Sequence, residues 1–278
     1  MIATSKNLHG ILCLLVSHGA LLSPTNKDGW TALHIAAQQC AVECLQFLLE
    51  YASELSIAKS RSGRTPVHMA AASGCAEGLG LLLEAGQNQC GETARVTELK
   101  DAEGATILHA ACISGSLPCI RLCIKYRCDL RATSKGGMRA VHFAALAGRL
   151  DALKLLHAAF VDEEHASAAK EDAPQRGVND HALVNVTEEF VRKDDMDGFT
   201  PAHYAAREGH ENVISWLFTA PPNGLGLNAS VEDIKGRKPI DIGVVFNTAR
   251  KGYCASYSHS SSTSARNWNR EKITKMLM

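Results

Sequence analysis

The histidines are the side chains best suited to acid–base or metal chemistry, and the chain has 12 of them among 278 residues. Imidazole titrates near neutral pH and binds transition metals, so each histidine is a candidate base or ligand. Five of them recur at one position of a repeated motif: His34, His68, His109, His142 and His203. A catalytic base is needed once, whereas a side chain that recurs in every repeat serves the repeat. We therefore interpret these five as structural.

The cysteines offer one cluster with the composition of a metal site. Cys112, Cys119, Cys123 and Cys128 follow closely on His109, but no C-x-x-C pair is present, and two of them have the i, i+4 spacing of a helix packing face. This favours buried thiols and no metal, with a metal or redox protein as the alternative that metal analysis would test. The 10 cysteines are spread along the chain, which predicts reduced thiols and a cytoplasmic protein.

Other catalytic signatures are missing from the sequence. No glycine-rich phosphate loop and no G-x-S-x-G nucleophile motif is present. With 29 basic and 29 acidic residues, the chain has no basic field for nucleic acid or anionic membranes. Its apolar runs are too short to span a membrane. We expect no enzyme activity, no cofactor, no small-molecule substrate, no nucleic acid and no membrane insertion.

The elements that position the histidines are read from the repeat itself. The motif Thr-x-x-His-x-Ala-Ala or a close variant begins at Thr31, Thr65, Thr106, Arg139 and Thr200, and a decayed copy begins at Lys238. Two residues earlier stands a glycine in every copy: Gly29, Gly63, Gly104, Gly137, Gly198 and Gly236. Three residues before the glycine stands a short polar residue: Asn26, Ser60, Asp101, Ser134, Asp195 or Asp233. This pattern predicts a tight turn in which glycine adopts positive φ.

After each turn the sequence predicts a pair of helices. Threonine caps the first helix, and proline fits its first turn, as at Pro66 and Pro201. Nine residues after the threonine position, glycine closes this short helix in four repeats, and Cys40 stands there in the first. Leucines at helical spacing then indicate a second helix. The unit is therefore turn, helix, helix.

These motifs closely resemble the ankyrin repeat, and the resemblance covers residues 8–242 apart from insertions. It implies an all-α ankyrin-repeat solenoid over residues 1–247, with a half repeat at 8–26 and repeats that begin near residues 27, 61, 102, 135, 196 and 234. We expect insertions at 87–99 and 160–193, the second a flexible excursion. Residues 248–266 are Ser-rich and expected to be flexible, and 267–278 are expected to form a capping helix. The half repeat implies either a truncated chain or an improvised cap from residues 1–7.

Ankyrin repeats hold partner proteins on a concave face of hairpin tips and inner helices, so the resemblance implies a protein-binding scaffold. The structural motif residues are then Thr31, Thr65, Thr106 and Thr200 with the five histidines, whose imidazoles bond the threonine and adjoining turns. The expected partner contacts lie at the tips and inner-helix ends: Trp30, Arg64, Ile113, Met138, Leu146, Phe199, Arg207 and Arg237. Alternatively, Trp30 and Phe199 fold back onto the irregular first repeat and the large insertion.

Two alternative functions stay open. The chain could be the regulatory ankyrin part of a larger enzyme or a ligase adaptor, which a longer transcript would reveal. Short segments such as residues 104–109 and 44–49 also show a secondary likeness to the repeats of espins, which implies a cytoskeletal partner. The sequence does not identify the partner protein.

Overall fold

The computed structural model describes residues 1–90, 95–168 and 196–243 and divides the chain into two compact units, Met1–Ala140 and Val141–Met278. Within those ranges the backbone forms α-helices, short 3-10 turns and loops, with no β-strand beyond one isolated bridge between Thr133 and Arg139. The all-α fold expected from the sequence is confirmed. Each unit is described separately.

The described residues of unit 1 form eight α-helices, which follow one another in pairs. The first two belong to the half repeat, and each later pair is one repeat of inner and outer helix. Their bounds are α1 Ile2–Ser5, α2 His9–Ser17, α3 Ala32–Gln38, α4 Val42–Tyr51, α5 Pro66–Ser73, α6 Ala76–Cys90, α7 Ile107–Ser114 and α8 Leu117–Lys125. Two 3-10 turns, Ser53–Ile57 and Val96–Glu98, lie between outer helices and the next hairpin.

Unit 2 follows the same plan. Its helices are α9 Ala140–Leu146, which starts at the last residue of unit 1, α10 Leu150–Ala168, α11 Pro201–Glu208 and α12 Glu211–Phe218. The helices α11 and α12 form one complete pair, and the next hairpin leads into a further helical turn that ends the described chain at Gly243.

The inner helices begin and end as the sequence predicts. Thr65 has extended backbone geometry, caps the start of α5 with its side chain, and is followed by Pro66 at the first helical position. The helix ends at Gly74, which has φ of 75°, and Gly115 ends α7 with the same φ. This left-handed conformation is tolerated best by glycine, because it has no Cβ.

The hairpin turns are held by the polar residues that the sequence placed there. The carboxylate oxygen Oδ1 of Asp101 accepts hydrogen bonds from the backbone nitrogens of Glu103 and Ala105, at 3.0 and 2.8 Å. Asn26 and Asp233 bond their own turns in the same way. All six turn glycines have positive φ, between 69° and 78°. The predicted turn is confirmed in every repeat.

Each unit buries its own apolar core between inner and outer helices. In unit 1 the largest fully buried side chains are Leu33, Leu45, Leu48, Leu79, Leu82, Leu83, Ile107, Leu108 and Ile120. In unit 2, Leu153, Leu156 and Phe160 from α10 are buried, as are Val213 and Leu217 from α12. The paired alanines of the inner helices, such as Ala70 and Ala71, are fully buried, which lets neighbouring helices approach closely.

The insertions begin as extensions of outer helices. Helix α6 continues to Cys90, and Val96 beyond it is fully buried beside Gly86, where a Cβ would lie 2.7 Å from a Val96 methyl group. Helix α10 runs through Phe160 to Ala168. The rest of the predicted 160–193 excursion, the Ser-rich segment and the capping helix lie outside the described residues and stay predictions.

The half repeat is folded. Helix α1 packs on α2 and α3, and its Ala3 and Thr4 are buried. Across the ranges that the structure describes, no helix combines the length and apolar character needed to cross a membrane.

Candidate protein-binding surface

Four of the five motif histidines join one repeat to the next, and the fifth, His142, is buried. In unit 1, Nδ1 of His34 lies 3.2 Å from the backbone nitrogen of Thr31, and Nε2 lies 3.0 Å from the carbonyl oxygen of Arg64 in the following hairpin. The same bond to the next hairpin recurs from His68 to Ala105 at 3.3 Å and from His109 to Met138 at 3.1 Å. In unit 2, His203 bonds Thr200 and the carbonyl of Arg237.

This geometry fixes the protonation of the imidazoles. A backbone N–H only donates, so Nδ1 of each histidine accepts from the threonine nitrogen and Nε2 carries the hydrogen that it donates to the carbonyl. Burial lowers the pKa of His68 and of His109 to about 4, and burial also lowers the pKa of His34. The rings are therefore neutral at physiological pH and occupied by structural bonds, which leaves none of these nitrogens for catalysis.

The residue between the turn glycine and the motif threonine position, here called the tip residue, is held from both sides. At Arg64, the backbone nitrogen donates to Oγ of Ser60 at 3.1 Å, while the carbonyl accepts from His34. At Trp30, the nitrogen donates to Oδ1 of Asn26 at 2.9 Å. A tip residue thus has a fixed backbone.

Adjacent hairpins also bond to each other along unit 1. The bonds run from Arg61 to Asp28 (3.0 Å), from Ala102 to Ser62 (2.8 Å) and from Lys135 to Glu103 (2.8 Å), each from backbone nitrogen to carbonyl oxygen. The approach is close enough that a Cβ on Gly63 would lie 2.7 Å from the backbone nitrogen of Ala102. The tips of this unit therefore form one hydrogen-bonded edge.

The side chains at this edge are accessible to different degrees. Trp30 and Met138 are half-buried, and Arg64 is exposed. The Arg64 guanidinium lies 3.4 Å from the carboxylate of Asp101, whose side chain is largely buried, so part of its charge is already neutralised. Ile113, near the end of α7, is 45% exposed. Three of these four side chains are apolar.

In unit 2 the structure corrects the expectation for Phe199. This ring is buried, stacks on His203 with centroids 5.4 Å apart, and meets the edge of Tyr204. The guanidinium of Arg237 lies 5.6 Å from its centroid, and the same group pairs with the carboxylate of Asp233 at 2.7 Å. Phe199 is therefore a packing residue, because side chains of its own unit cover it, while most of the large insertion that the fold-back alternative named lies outside the described residues.

The two remaining predicted contacts of unit 2 are partly occupied. Arg207 lies over the Tyr204 ring at 4.9 Å and 3.2 Å from the carboxylate of Glu208. Leu146 is half-buried, and its carbonyl oxygen bonds Nε2 of His210 at 2.9 Å. Both side chains reach the surface of the unit.

The cysteine cluster of unit 1 is a buried group of thiols. Cys112, Cys119, Cys123 and Cys128 are all buried. Burial raises the pKa of Cys112, and a hydrogen bond with Cys128 together with burial raises the pKa of Cys123. Thiolate is the form that binds metals, and burial here disfavours it. In the portions of the chain that the structure describes, no three His, Cys, Asp or Glu side chains are placed to hold a metal ion.

The expectation of reduced thiols is wrong for one pair, since Cys40 and Cys75 form a disulfide with Cα atoms 5.4 Å apart. The pair lies 35 residues apart in sequence and meets because adjacent repeats stack in register. The half repeat exposes apolar side chains, among them Ile11 and Leu14 at 49% and 62% exposure. The signal for the disulfide was present, because Cys40 replaces the helix-closing glycine.

The architecture defines a helix-turn-helix repeat protein, and comparisons with known families identify which one. Ankyrin-repeat profiles match residues 1–94, 108–157 and 197–224, together more than half of the chain. The chain belongs to the ankyrin-repeat family.

Individual relatives share these repeats at modest identity. The chain is 34% identical over 161 residues to the probable E3 ubiquitin-protein ligase XBOS33 of rice, covering 55% of this chain and 30% of that protein. It is 29% identical over 158 residues to the mouse B-cell lymphoma 3 protein homolog, covering 56% and 34%. It is 28% identical over 226 residues to the chicken nuclear factor NF-kappa-B p105 subunit, covering 74% and 22%. The chain thus spans about a third or less of these relatives.

Proposed function

We propose that the hairpin tips and inner-helix ends form a binding surface for a partner protein, without catalysis. In unit 1 the contact residues are Trp30, Arg64, Ile113 and Met138. The observation that carries the proposal is the backbone of the tip residues, which hydrogen bonds hold on both sides at Trp30 and Arg64 and at the carbonyl of Met138. A backbone that is already fixed loses little conformational entropy on binding. Less of the free energy gained from the contacts is therefore offset by ordering of the surface.

The chemistry of this surface indicates what it would recognise. Trp30, Ile113 and Met138 offer apolar contact, and aromatic and methionine side chains are enriched at protein interfaces. Arg64 is exposed and can shift from Asp101 to an acidic group of the partner at the edge. In unit 2, the proposed contacts are Leu146, Arg207 and Arg237, with Phe199 removed because it is buried. The expected partner presents apolar side chains flanked by carboxylates.

Affinity capture with mass spectrometry identifies the partner, and hydrogen exchange of the purified complex tests the surface. We expect slower exchange at the tips, residues 28–30, 62–64, 103–105 and 136–138, and at the end of α7. Outer helices α4 and α8 should exchange as in the free protein. Protection confined to the outer helices would contradict the proposal.

A second candidate function rests on the comparisons. Several relatives carry the name E3 ubiquitin-protein ligase, and the rice protein XBOS33 matches this chain over only 30% of its own length. The ankyrin repeats here would then recruit a protein to a catalytic domain encoded elsewhere in a longer transcript. Full-length transcript sequencing tests this, and the absence of any catalytic domain in the longest transcript would exclude it. A cytoplasmic location and a cytoskeletal partner also stay proposals.

A further inference from the structure

The disulfide between Cys40 and Cys75 connects the first complete repeat to the second. Cys40 lies two residues after the end of helix α3, and Cys75 lies in the short loop between α5 and α6. Beside it, Oγ of Ser73 donates to the carbonyl oxygen of Ala37 at 3.1 Å, so the ends of the two inner helices are in contact. The covalent bond therefore joins two elements that already pack together.

The position of Cys40 is unusual for a residue with a side chain. Its φ is 52°, in the left-handed region, and the equivalent positions of the other repeats are glycines with positive φ: Gly74, Gly115, Gly148 and Gly209. In this conformation the Cβ of an L-residue makes unfavourable contacts, which glycine avoids because it has no Cβ. Cysteine at this one position needs a compensating role, and the disulfide supplies it.

The second sulfur, that of Cys75, is buried at the start of helix α6. Cys75 is buried, and Gly78 on the first turns of α6 leaves the space beside it, since a Cβ on Gly78 would lie 3.0 Å from Sγ of Cys75. Cys40, in contrast, is exposed to solvent. The two sulfurs of this bond thus differ in accessibility, and a thiol in solution reaches Cys40 first.

On its other side, the first complete repeat packs against the two short helices of the half repeat. In a stack of repeats, each unit is stabilised mainly by its neighbours. The outer helix of the half repeat, α2, leaves Ile11 and Leu14 exposed. A covalent link to the second repeat adds to this packing and fixes the first repeat to its other neighbour.

We propose that Cys40 and Cys75 are a thiol–disulfide exchange site for a small thiol of the glutathione class, and that the bond locks the first repeat onto the second. A glutathione thiolate attacks Sγ of Cys40, the Cys40–Cys75 bond breaks, and the electron pair leaves on Cys75, which takes a proton from water. A second glutathione thiolate attacks the glutathione sulfur of the mixed disulfide on Cys40. This step releases glutathione disulfide and the Cys40 thiolate, which takes a proton from water, so two glutathiones supply the two electrons.

The test uses the full chain in buffers of defined ratio of reduced to oxidised glutathione. Alkylation and peptide mass spectrometry follow the linked, mixed-disulfide and free forms, and thermal melts follow stability. For the parent we expect reduction to lower the melting temperature by about 10 °C, because the closed loop is lost. Cys75→Ser should carry glutathione on Cys40, whereas Cys40→Ser should carry none on the buried Cys75.

Two further variants guard against misfolding and side reactions. Cys40→Gly restores the residue best suited to the left-handed position, so it should fold and melt near the reduced parent. Its melting temperature should not depend on the ratio of reduced to oxidised glutathione. Cys13→Ser removes a partly exposed thiol outside the pair and should respond like the parent. The proposal fails if oxidised parent contains no Cys40–Cys75 peptide. It also fails if reduction leaves the melting temperature unchanged, or if glutathione attaches to Cys75 rather than Cys40.

Discussion

The imidazole of a motif histidine bonds two repeats at once. In His109 one nitrogen accepts from Thr106, at 3.1 Å, and the other donates to Met138, at 3.1 Å, while the ring itself is fully buried. Loss of the ring leaves the buried N–H of Thr106 without this partner and removes one of the two bonds to the half-buried carbonyl of Met138. His109 therefore stabilises the fold and fixes the position of the following hairpin.

We predict that His109→Ala lowers the free energy of unfolding by about 1–3 kcal/mol, because the buried N–H of Thr106 loses its bond and the link to the Met138 carbonyl is lost. Chemical denaturation measures this change in the free energy of unfolding, from the midpoint and slope of the transition in the variant and in the parent. His165→Ala is the matched control, since His165 is exposed on α10. Equal stability of the His109 variant and the parent would show that the bond contributes nothing.

The buried histidines also predict a pH dependence of stability. The pKa of His68 and of His109 is about 4 in the folded protein, below the 6.5 of a free imidazole. Between these two values the unfolded chain binds more protons, so stability is full above pH 6.5 and is lost as the pH falls toward 4. Melting temperatures across this range should fall with pH, and less steeply in His109→Ala. A flat profile in the parent would contradict the burial of neutral rings.

Single residues were predictable where the repeat dictates them. Five copies of one motif indicated a structural histidine, and the bonds of His34 and His203 follow that pattern. Phe199 was misjudged because its position was compared with the other tips, whereas its burial depends on Tyr204 and Arg237, which only this repeat brings together. A motif that all repeats share does not indicate packing partners that are specific to one repeat.

At the scale of elements, the hairpin turn depends on glycine for two reasons. Gly63 has φ of 71°, and a Cβ there would approach the neighbouring hairpin to 2.7 Å. Gly80 on α6 has no atom within 4 Å of a Cβ. Substitution by alanine is therefore expected to have opposite effects on stability at these two glycines.

We predict that Gly63→Ala destabilises the protein by at least about 1–2 kcal/mol, from left-handed strain and the close backbone contact. Gly80→Ala should stabilise it by about 0.5–1 kcal/mol, because alanine is favoured inside a helix. Thermal melts of the two variants side by side measure the difference. Equal effects would show that the hairpins tolerate a side chain at this edge.

The helices were predictable at their starts and less so at their ends. Threonine caps and turn glycines indicated where α3, α5 and α7 begin. The outer helices α6 and α10 run past the repeat length into the insertions, where no neighbouring repeat supplies the boundary signal. For α6 the extension rests on a local contact, Gly86 against Val96, that repeat spacing does not encode.

At the scale of the molecule, the composition and the repeats together favour a binding protein. The formal net charge of zero supplies no long-range attraction, so recognition depends on contact at the surface. The described histidines and cysteines of the motifs and the cluster are buried in structural bonds or packing. Fixed tips with apolar side chains remain as the feature that a partner would use.

The direct measurement of this claim is the affinity of tip variants for the captured partner, by calorimetry. Trp30→Ala and Met138→Ala should each melt like the parent and lose at least about 1 kcal/mol of binding free energy, because interface anchors carry most of the affinity. Gln46→Ala on α4 and Lys154→Glu on α10, both exposed on outer helices, should bind like the parent. If both tip variants keep full affinity while either outer-helix variant loses it, the partner does not bind at the hairpin tips.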